Sequence, residues 1–233
     1  MPNAKNRVLE HLFLSFLFFK IKKDEFFRQR FVKKKYYKDL IFKKIDKELL
    51  ANYWLRNPYK ISKHFFLKKG AKDVHTYGET PLSTMEKILL ECQICPEDVF
   101  FELGAGRGRC SFFMAHFAKC RVFAIEQIPE FVFIANRIVK DNQLKNIAFL
   151  CQDIKYTNLH SATVIFLYGL CMEEKFLNAL IKRLENLRPG TKIITVSYPL
   201  STLGEFETVR EFEGEFPWGK TKIYLNLVKT KIS

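Results

Sequence analysis

The chain of 233 residues is long enough to bury one sizeable core with a small accessory region. Its hydrophobic content of 48% and aromatic content of 15% exclude a disordered chain. Residues 1–72 contain 20 of the 39 Lys and Arg residues but only 6 of the 25 Asp and Glu residues, which accounts for the whole net charge of +14. This distribution predicts a basic segment at 1–72 and a neutral domain at 73–233.

The basic segment has a helical pattern between residues 8 and 50, because apolar and aromatic residues recur every three or four positions with lysine and arginine between them. The apolar stretch at 12–19 is shorter than the ~20 residues of a membrane-spanning helix, so we interpret it as part of an amphipathic helix. Two interpretations of the segment stay open: a helical extension that packs on the domain, or a surface that binds nucleic acid, anionic lipid or an acidic protein.

Six cysteines lie in the neutral domain, and two of them, Cys92 and Cys95, form a C-x-x-C pair. No second pair follows at zinc-ligand spacing, and most of the others lie in apolar stretches. The pattern favours free thiols, no metal site and a reducing compartment. We therefore expect a cytoplasmic protein, with nuclear or host-cell targeting left open.

From residue 81 onward short apolar runs alternate with helical patterns, which is typical of a parallel sheet covered by helices on both faces. The predicted strands are 99–103, 121–126, 147–153, 162–169 and 191–199, and the predicted helices are 81–92, 108–118, 130–142 and 173–187. Two alternating stretches flank Pro217, Trp218 and Gly219 and predict an antiparallel hairpin. The predicted fold class is α/β: a doubly wound, mostly parallel seven-stranded sheet with a C-terminal antiparallel hairpin and a basic helical N-terminal extension.

The stretch FELGAGRGRC at 101–110 follows the first predicted strand and has glycine at every second position. These glycines are Gly104, Gly106 and Gly108. Glycine lets the backbone lie against a ligand, and ligands of doubly wound sheets bind at the carboxyl ends of the strands. Arg107 and Arg109 in the same loop are compatible with a pyrophosphate, but the P-loop pattern is absent.

Acidic residues come at the ends of three successive predicted strands: Glu102, Glu126 and Asp153. Glu126 is placed to bind the hydroxyl groups of a ribose. Asp153 could accept a hydrogen bond from the exocyclic amine of an adenine, with Ile154 packing on the ring. Beside the glycine loop, the three acids favour an adenosine ligand.

This combination, from about residue 75 to 230, resembles the class I S-adenosylmethionine-dependent methyltransferases, which have a Rossmann-like fold. The resemblance implies S-adenosyl-L-methionine as the cofactor. It assigns the methionine part to Gly104, Gly106 and Gly108, the ribose to Glu126 and the adenine to Asp153.

A narrower resemblance is carried by Tyr-Gly-Glu-Thr at 77–80, before the glycine loop, and by PWGKTKIYL near the C-terminus. Both are similar to the disruptor-of-telomeric-silencing family, the lysine methyltransferases without a SET domain. The resemblance implies cofactor or channel roles for Tyr77, Glu79 and Thr80, and channel roles for Trp218 and Tyr224. The chain departs from the family pattern at three places: Glu102 replaces an aspartate, Arg109 a glutamine, and Tyr168-Gly169 an asparagine pair.

The region around 162–200 also resembles lysine methyltransferases related to the ATP-synthase c-subunit enzyme, so both resemblances imply a lysine side chain of a protein substrate. The candidate catalytic residues are the aromatic Tyr77, Tyr168, Trp218 and Tyr224, which could desolvate the amine. The alternatives are an RNA or small-molecule methyltransferase, and a non-catalytic module that docks through the basic segment.

Overall fold

The computed structural model describes residue 23 and residues 26–71, 73, 77–168 and 174–230. The chain divides into two compact units, Met1–Lys43 and Lys44–Ser233. In the first unit, residues 26–35 are helical, and the rings of Phe31 and Tyr36 meet edge to face with centroids 5.8 Å apart. The predicted helix at 12–19 lies outside the described residues. The division after residue 72 remains a prediction from charge.

Between the helical residues 26–35 and the sheet come three more helices: α1 (Leu40–Asn52), α2 (Pro58–Lys68) and α3 (Leu82–Glu91). The start of α2 follows directly from its sequence. The Asn57 side chain accepts a hydrogen bond from the N–H of Tyr59 over 2.9 Å, and Pro58 occupies the first helical position, where no N–H donor is needed.

Seven strands and three further helices complete the second unit. In chain order they are β1 (Val99–Leu103), α4 (Arg109–Phe117), β2 (Arg121–Glu126), α5 (Pro129–Asp141), β3 (Ile147–Cys151), β4 (Val164–Leu167), α6 (Glu174–Leu184), β5 (Lys192–Val196), β6 (Phe206–Phe216) and β7 (Gly219–Val228). The sheet order is β3-β2-β1-β4-β5-β7-β6. The five strands β1 to β5 are mutually parallel, and β7 runs antiparallel to both β5 and β6. The predicted fold class is confirmed.

Helices cover the central strands, which explains why those strands are almost wholly apolar in sequence. Helices α4 and α5 both pack against β2 and β3. A buried apolar cluster joins the strands to α6 through Leu180 and Leu184. Strand β4 is shorter than predicted and ends at Leu167, so Tyr168 comes directly after it, at the edge where the parallel strands end.

The part of the chain described by the structure contains no helix long and apolar enough to cross a membrane. Its five cysteines are free thiols: Cys92, Cys95, Cys110, Cys120 and Cys151. Within the same residues, no group of three or more acidic, His or Cys side chains is arranged to hold a metal ion.

Candidate functional site

The glycine loop leaves β1 and turns sharply into α4. The N–H groups of Gly104 and Ala105 both donate to the carbonyl oxygen of Ile125 in β2, each over 2.9 Å. Gly104, Gly106 and Gly108 have positive φ angles of 84°, 56° and 85°. A residue with a Cβ is strained in this conformation, so the loop needs glycine for backbone reasons alone.

The three glycines differ in what lies against them. A Cβ on Gly106 would lie 2.9 Å from the ring of Tyr77, and a Cβ on Gly108 would collide with Phe149 of β3. At Gly104 no described atom comes within 4 Å of that position. The backbone at Gly104 therefore faces open space, whereas the other two glycines make room for the protein's own rings, which the sequence pattern did not reveal.

Glu126 is the last residue of β2, and its side chain holds the glycine loop by hydrogen bonds. Its buried carboxylate accepts hydrogen bonds from the N–H of Gly106 over 2.7 Å and from the N–H of Ile128 over 2.9 Å. Burial raises the pKa of Glu126, and these backbone donors counteract the rise. The side chain thus joins the glycine loop to the start of α5, and its predicted contact with a ribose stays a prediction.

Glu102 lies within β1 and is also buried. The hydroxyl of Ser111, one turn into α4, donates to its carboxyl group. Burial raises the pKa of Glu102 to about 8, and the Ser111 hydrogen bond only partly offsets this effect. Glu102 is therefore harder to ionise than an exposed glutamate.

Asp153 and Ile154 follow β3 at the same edge of the sheet. The carboxylate of Asp153 accepts a hydrogen bond from the N–H of Lys155 over 2.9 Å, which shapes the turn after the strand. Ile154 packs against the buried cluster beneath α6, and its carbonyl oxygen accepts from Arg183 over 2.6 Å. Both residues are half-buried, and their predicted contacts with an adenine stay predictions.

The Tyr-Gly-Glu-Thr segment lies against the glycine loop through an ion pair. Arg107 Nη2 donates to Glu79 Oε2 over 2.8 Å, and Arg107 Nε lies 2.5 Å from Glu79 Oε1. Tyr77 donates its hydroxyl to the same carboxylate. Burial alone would raise the pKa of Glu79, but the charge and hydrogen bond of Arg107 hold it below its usual value, so Glu79 stays ionised.

Aromatic rings surround this ion pair. The guanidinium of Arg107 lies over the ring of Tyr53 at 5.5 Å, and the ring of Tyr77 contacts Tyr59 at 5.0 Å and Phe131 at 5.5 Å between centroids. Thr80 is buried nearby, and its carbonyl oxygen accepts from the Cys110 thiol over 3.4 Å.

Arg109 forms the second buried ion pair of the loop. Its Nε and Nη2 donate to the two carboxylate oxygens of Asp46 in α1, over 2.7 and 2.8 Å. The Asp46 side chain is 1% exposed. The sequence marked Arg109 only as a departure from the family glutamine, and no local signal connects it with an aspartate 63 positions earlier.

An aromatic stack lies at the end of β4. Tyr168 packs on Phe216 and Trp218 with centroid distances of 5.8 Å to each, and Phe216 stacks on Trp218 at 5.1 Å. A Cβ on Gly78 would lie 2.8 Å from the Tyr168 hydroxyl oxygen, so the Tyr-Gly-Glu-Thr segment reaches the same place. That hydroxyl is buried and has no hydrogen-bond partner among the described residues. Phe216 was not predicted as a site residue.

The other two aromatic candidates are placed differently. Trp218 is 60% exposed in the turn between β6 and β7, where its indole N–H donates to Thr221 over 3.0 Å. Tyr224 is buried in β7 opposite Thr195 near the end of β5. No ring contact joins Tyr224 to Tyr168 or Trp218 in the described parts of the chain, so three of the four predicted aromatic residues adjoin the loop or its stack and one stands apart.

One small cleft brings the loop, the ion pairs and the stack together at the carboxyl ends of β1 and β4. Its walls are Gly78, Glu79, Thr80, Glu102, Gly104, Ala105, Arg107, Gly108, Arg109, Cys110 and Tyr168.

Comparison with known proteins places the chain among relatives of similar fold. The family model described as histone methylation protein DOT1 matches residues 66–211. A curated relative, the H3 lysine-79 specific histone-lysine N-methyltransferase of Caenorhabditis elegans, is 28% identical over 136 residues. That match covers 52% of this chain but only 14% of the relative.

Solved structures agree on the fold. An RNA methyltransferase from Salinibacter ruber, in complex with S-adenosyl-L-homocysteine, has a TM-score of 0.55 at 23% identity and covers 66% of this chain and 96% of its own. TrmN from Thermus thermophilus has a TM-score of 0.52 at 14% identity and covers 62% and 48%. At these identities the likeness concerns the fold alone. The family model spans more than half of the chain, includes the Tyr-Gly-Glu-Thr segment and the glycine loop, and confirms the resemblance read from them: the chain belongs to the DOT1 family of histone methylation proteins.

Proposed function

We propose that the protein is an S-adenosylmethionine-dependent methyltransferase that modifies a lysine side chain of a protein. The observation that carries this proposal is the cleft at the carboxyl ends of β1 and β4. The open backbone of Gly104, the charged Glu79–Arg107 pair and Tyr168 of the aromatic stack all line this cleft. Membership of the DOT1 family supports both the reaction and the substrate class.

The residues of the cleft fit the cofactor. Its methionine part carries a carboxylate and an ammonium group, and the cleft offers a cation at Arg107 and an ionised acid at Glu79. Gly104 offers backbone without a side chain, and the buried Tyr168 hydroxyl is a polar group without a partner among the described residues. Buried polar groups are otherwise paired in native proteins, so such a hydroxyl points to a ligand.

When bound, S-adenosylmethionine supplies a methyl group on sulfonium: the lysine nitrogen lone pair forms the new N–C bond, the C–S electron pair stays on sulfur, and the amine proton passes to solvent. The protein must therefore bind the lysine amine in its neutral form. Burial against Tyr168 and Trp218 would lower the pKa of that amine, because an apolar surrounding disfavours the charged form. Tyr77 would hold Glu79 in place, and Tyr224 would support the hairpin from within the sheet.

A histone is the substrate that family membership favours. A histone substrate would require the protein to reach the nucleus, and another protein substrate would be compatible with the cytoplasm that we expected from the free cysteines. Identification of the substrate would therefore also indicate the compartment in which the protein acts.

The test is incubation with S-adenosylmethionine labelled in the methyl group, together with nucleosomes, free histones, total cell protein or RNA. We expect label on protein, with a lysine heavier by one or more methyl groups in mass spectrometry. Label confined to RNA or to small molecules would contradict the lysine assignment, and the absence of label from every fraction would contradict the enzyme.

A variant of the stack sharpens this test. Trp218→Ala should lower kcat while the cofactor Kd stays unchanged, because Trp218 lies on the hairpin and not in the glycine loop. The matched control is Trp54→Ala, since Trp54 is 85% exposed in the segment between α1 and α2. Equal effects of the two substitutions on kcat would remove Trp218 from the substrate channel.

A further inference from the structure

We propose that Arg107 and Glu79 form the subsite for the amino-acid head group of the methyl donor, with Arg107 binding the carboxylate and Glu79 the ammonium group. This proposal rests on the proposed function. The resemblance assigned a cofactor role to Glu79 but none to Arg107, which lies between two glycines of the loop.

The location of Arg107 is the first reason. Its side chain is only 13% exposed, it lies in the wall of the cleft, and it follows Gly104 by three residues. The ring of Tyr53 covers the guanidinium at 5.5 Å. The positive charge of Arg107 is therefore held inside the cleft, whereas an arginine in a surface loop usually extends into solvent.

The hydrogen bonds of Arg107 are the second reason. A guanidinium has five N–H donors in a planar fork that matches a carboxylate. Nε and Nη2 of this guanidinium face the two carboxylate oxygens of Glu79, over 2.5 and 2.8 Å, and Nη1 makes no hydrogen bond within the described residues. The side chain thus has donors to spare for a second carboxylate.

The charges of the neighbouring acids are the third reason. Glu102 already accepts a hydrogen bond from Ser111, and burial raises its pKa to about 8. Glu126 is occupied by two backbone N–H groups. Glu79 is the acid of the cleft whose pKa is lowered, so it is suited to an ammonium group.

An amino-acid head group carries one positive and one negative charge close together, and so does the Arg107–Glu79 pair. Arg107 would then face the ligand carboxylate and Glu79 the ligand ammonium group. Because the head group is neutral overall, its binding leaves the net charge of the cleft unchanged. An isolated arginine would instead favour anions of any kind, and pairing with Glu79 selects for a zwitterion.

The experiment measures binding by calorimetry with three probes. S-adenosylhomocysteine carries the complete head group, decarboxylated S-adenosylmethionine carries the ammonium group without the carboxylate, and methylthioadenosine carries neither. In the wild type we expect S-adenosylhomocysteine to bind about 10- to 100-fold more tightly than methylthioadenosine, the range for losing hydrogen bonds to charged groups.

Arg107→Gln should remove most of this preference. Affinity for S-adenosylhomocysteine should fall about 10- to 100-fold, while affinities for methylthioadenosine and the decarboxylated probe change less than about threefold. Glu79→Gln should lower the affinity for the decarboxylated probe as well as for S-adenosylhomocysteine, and should leave the affinity for methylthioadenosine unchanged. Arg56→Gln is the control, because Arg56 forms an exposed ion pair with Glu130 at 3.2 Å, away from the walls of the cleft.

The outcomes separate the two proposals. If Arg107→Gln weakens all three probes equally, or leaves the preference intact, the subsite is wrong and the methyltransferase stands. If the wild type binds none of the probes, both proposals fail. Should Arg107→Gln unfold the protein, Arg107→Lys keeps the positive charge without the planar fork. In that folded variant, weakening confined to S-adenosylhomocysteine would support the carboxylate contact, and equal weakening of all three probes would overturn it.

Discussion

Glu126 has an observed role in the glycine loop and a predicted role towards a ribose, and each has its own measurement. Its carboxylate binds the N–H groups of Gly106 and Ile128, and it also ends the strand where a ribose is expected. Glu126→Ala would leave two N–H groups without their acceptor in a buried place. We expect the free energy of unfolding to fall by roughly 2–4 kcal/mol and cofactor binding to weaken by roughly 1.5–3 kcal/mol.

Urea denaturation and calorimetry measure these two effects. Glu130→Ala is the control. Glu130 lies in the first turn of α5, close to Glu126 in the chain, and its ion pair with Arg56 is exposed and contributes little to stability. A folded Glu126→Ala variant with unchanged stability would mean that the loop does not depend on this carboxylate.

The burial of Glu102 leads to a prediction about pH. The pKa of this residue is 4.5 in an unfolded chain and about 8 in the fold, so the unfolded chain loses the proton first as the pH rises. The stability linked to this proton is complete below pH 4.5 and declines up to about pH 8. Glu102→Gln cannot lose a proton, so its stability relative to the wild type should increase by about 1 kcal/mol per pH unit across this window.

Urea denaturation at intervals between pH 5 and pH 9 measures that difference. It should rise up to about pH 8 and then level off, because above the folded pKa both states of the wild type are ionised. A difference that is constant across the whole range would contradict a protonated Glu102 in the native protein.

At the scale of elements, the junction of the glycine loop with α4 is fixed by packing against β3. Gly108 has a φ of 85°, and a Cβ there would meet Phe149. Gly190 has a similar φ of 81° but no neighbour within 4 Å of its Cβ position. The two glycines therefore separate the backbone cost of a side chain from its steric cost.

We expect Gly190→Ala to lower the free energy of unfolding by roughly 1 kcal/mol, from the unfavourable φ alone. Gly108→Ala should cost roughly 1–3 kcal/mol more, because Phe149 must move within a packed core. Thermal and urea denaturation of both variants measure the difference. Equal losses would show that α4 and β3 can separate without cost.

The elements could be predicted from sequence wherever one local pattern determined them. Strands β1 to β5 lie in a sheet covered by helices, so each is a short apolar run, and the alternation of β6 and β7 reveals a sheet face left polar. Their ends were less certain: β4 stops before Tyr168, and that residue belongs to the aromatic stack instead of the strand.

The contacts of the glycine loop and Tyr77 with the segment that precedes them could not be predicted. Nothing near Asp46, Tyr53 or Tyr59 in sequence indicates that they contact Arg109, Arg107 and Tyr77. From composition we expected a basic segment at 1–72 and a neutral domain at 73–233, and left open whether the segment packs on the domain. Removal of residues 1–72 would leave the charge of Arg109 buried without Asp46, so the glycine loop depends on part of the basic segment.

The charge of the basic segment supports a different experiment, which keeps the chain intact. Lys33, Lys34 and Lys38 are exposed and belong to the segment that carries the whole net charge. If the segment binds a polyanion, replacing all three by glutamine should weaken binding to a short DNA duplex. The slope of log K against log salt concentration should become less steep by about 1 to 3, since each phosphate contact contributes ~0.9.

The control replaces Lys140, Lys145 and Lys229 by glutamine. These lysines are exposed in the second unit, and their substitution removes the same number of positive charges. If both triple variants lose the same affinity and the same salt dependence, DNA responds to the net charge of the molecule and the basic segment has no special role. If only the first triple variant loses both, the segment carries the contact. Cofactor affinity should be unchanged in both variants, because none of the six lysines lies in the walls of the cleft. A change in cofactor affinity would mean that surface charge alters the electrostatic potential at the Arg107–Glu79 pair.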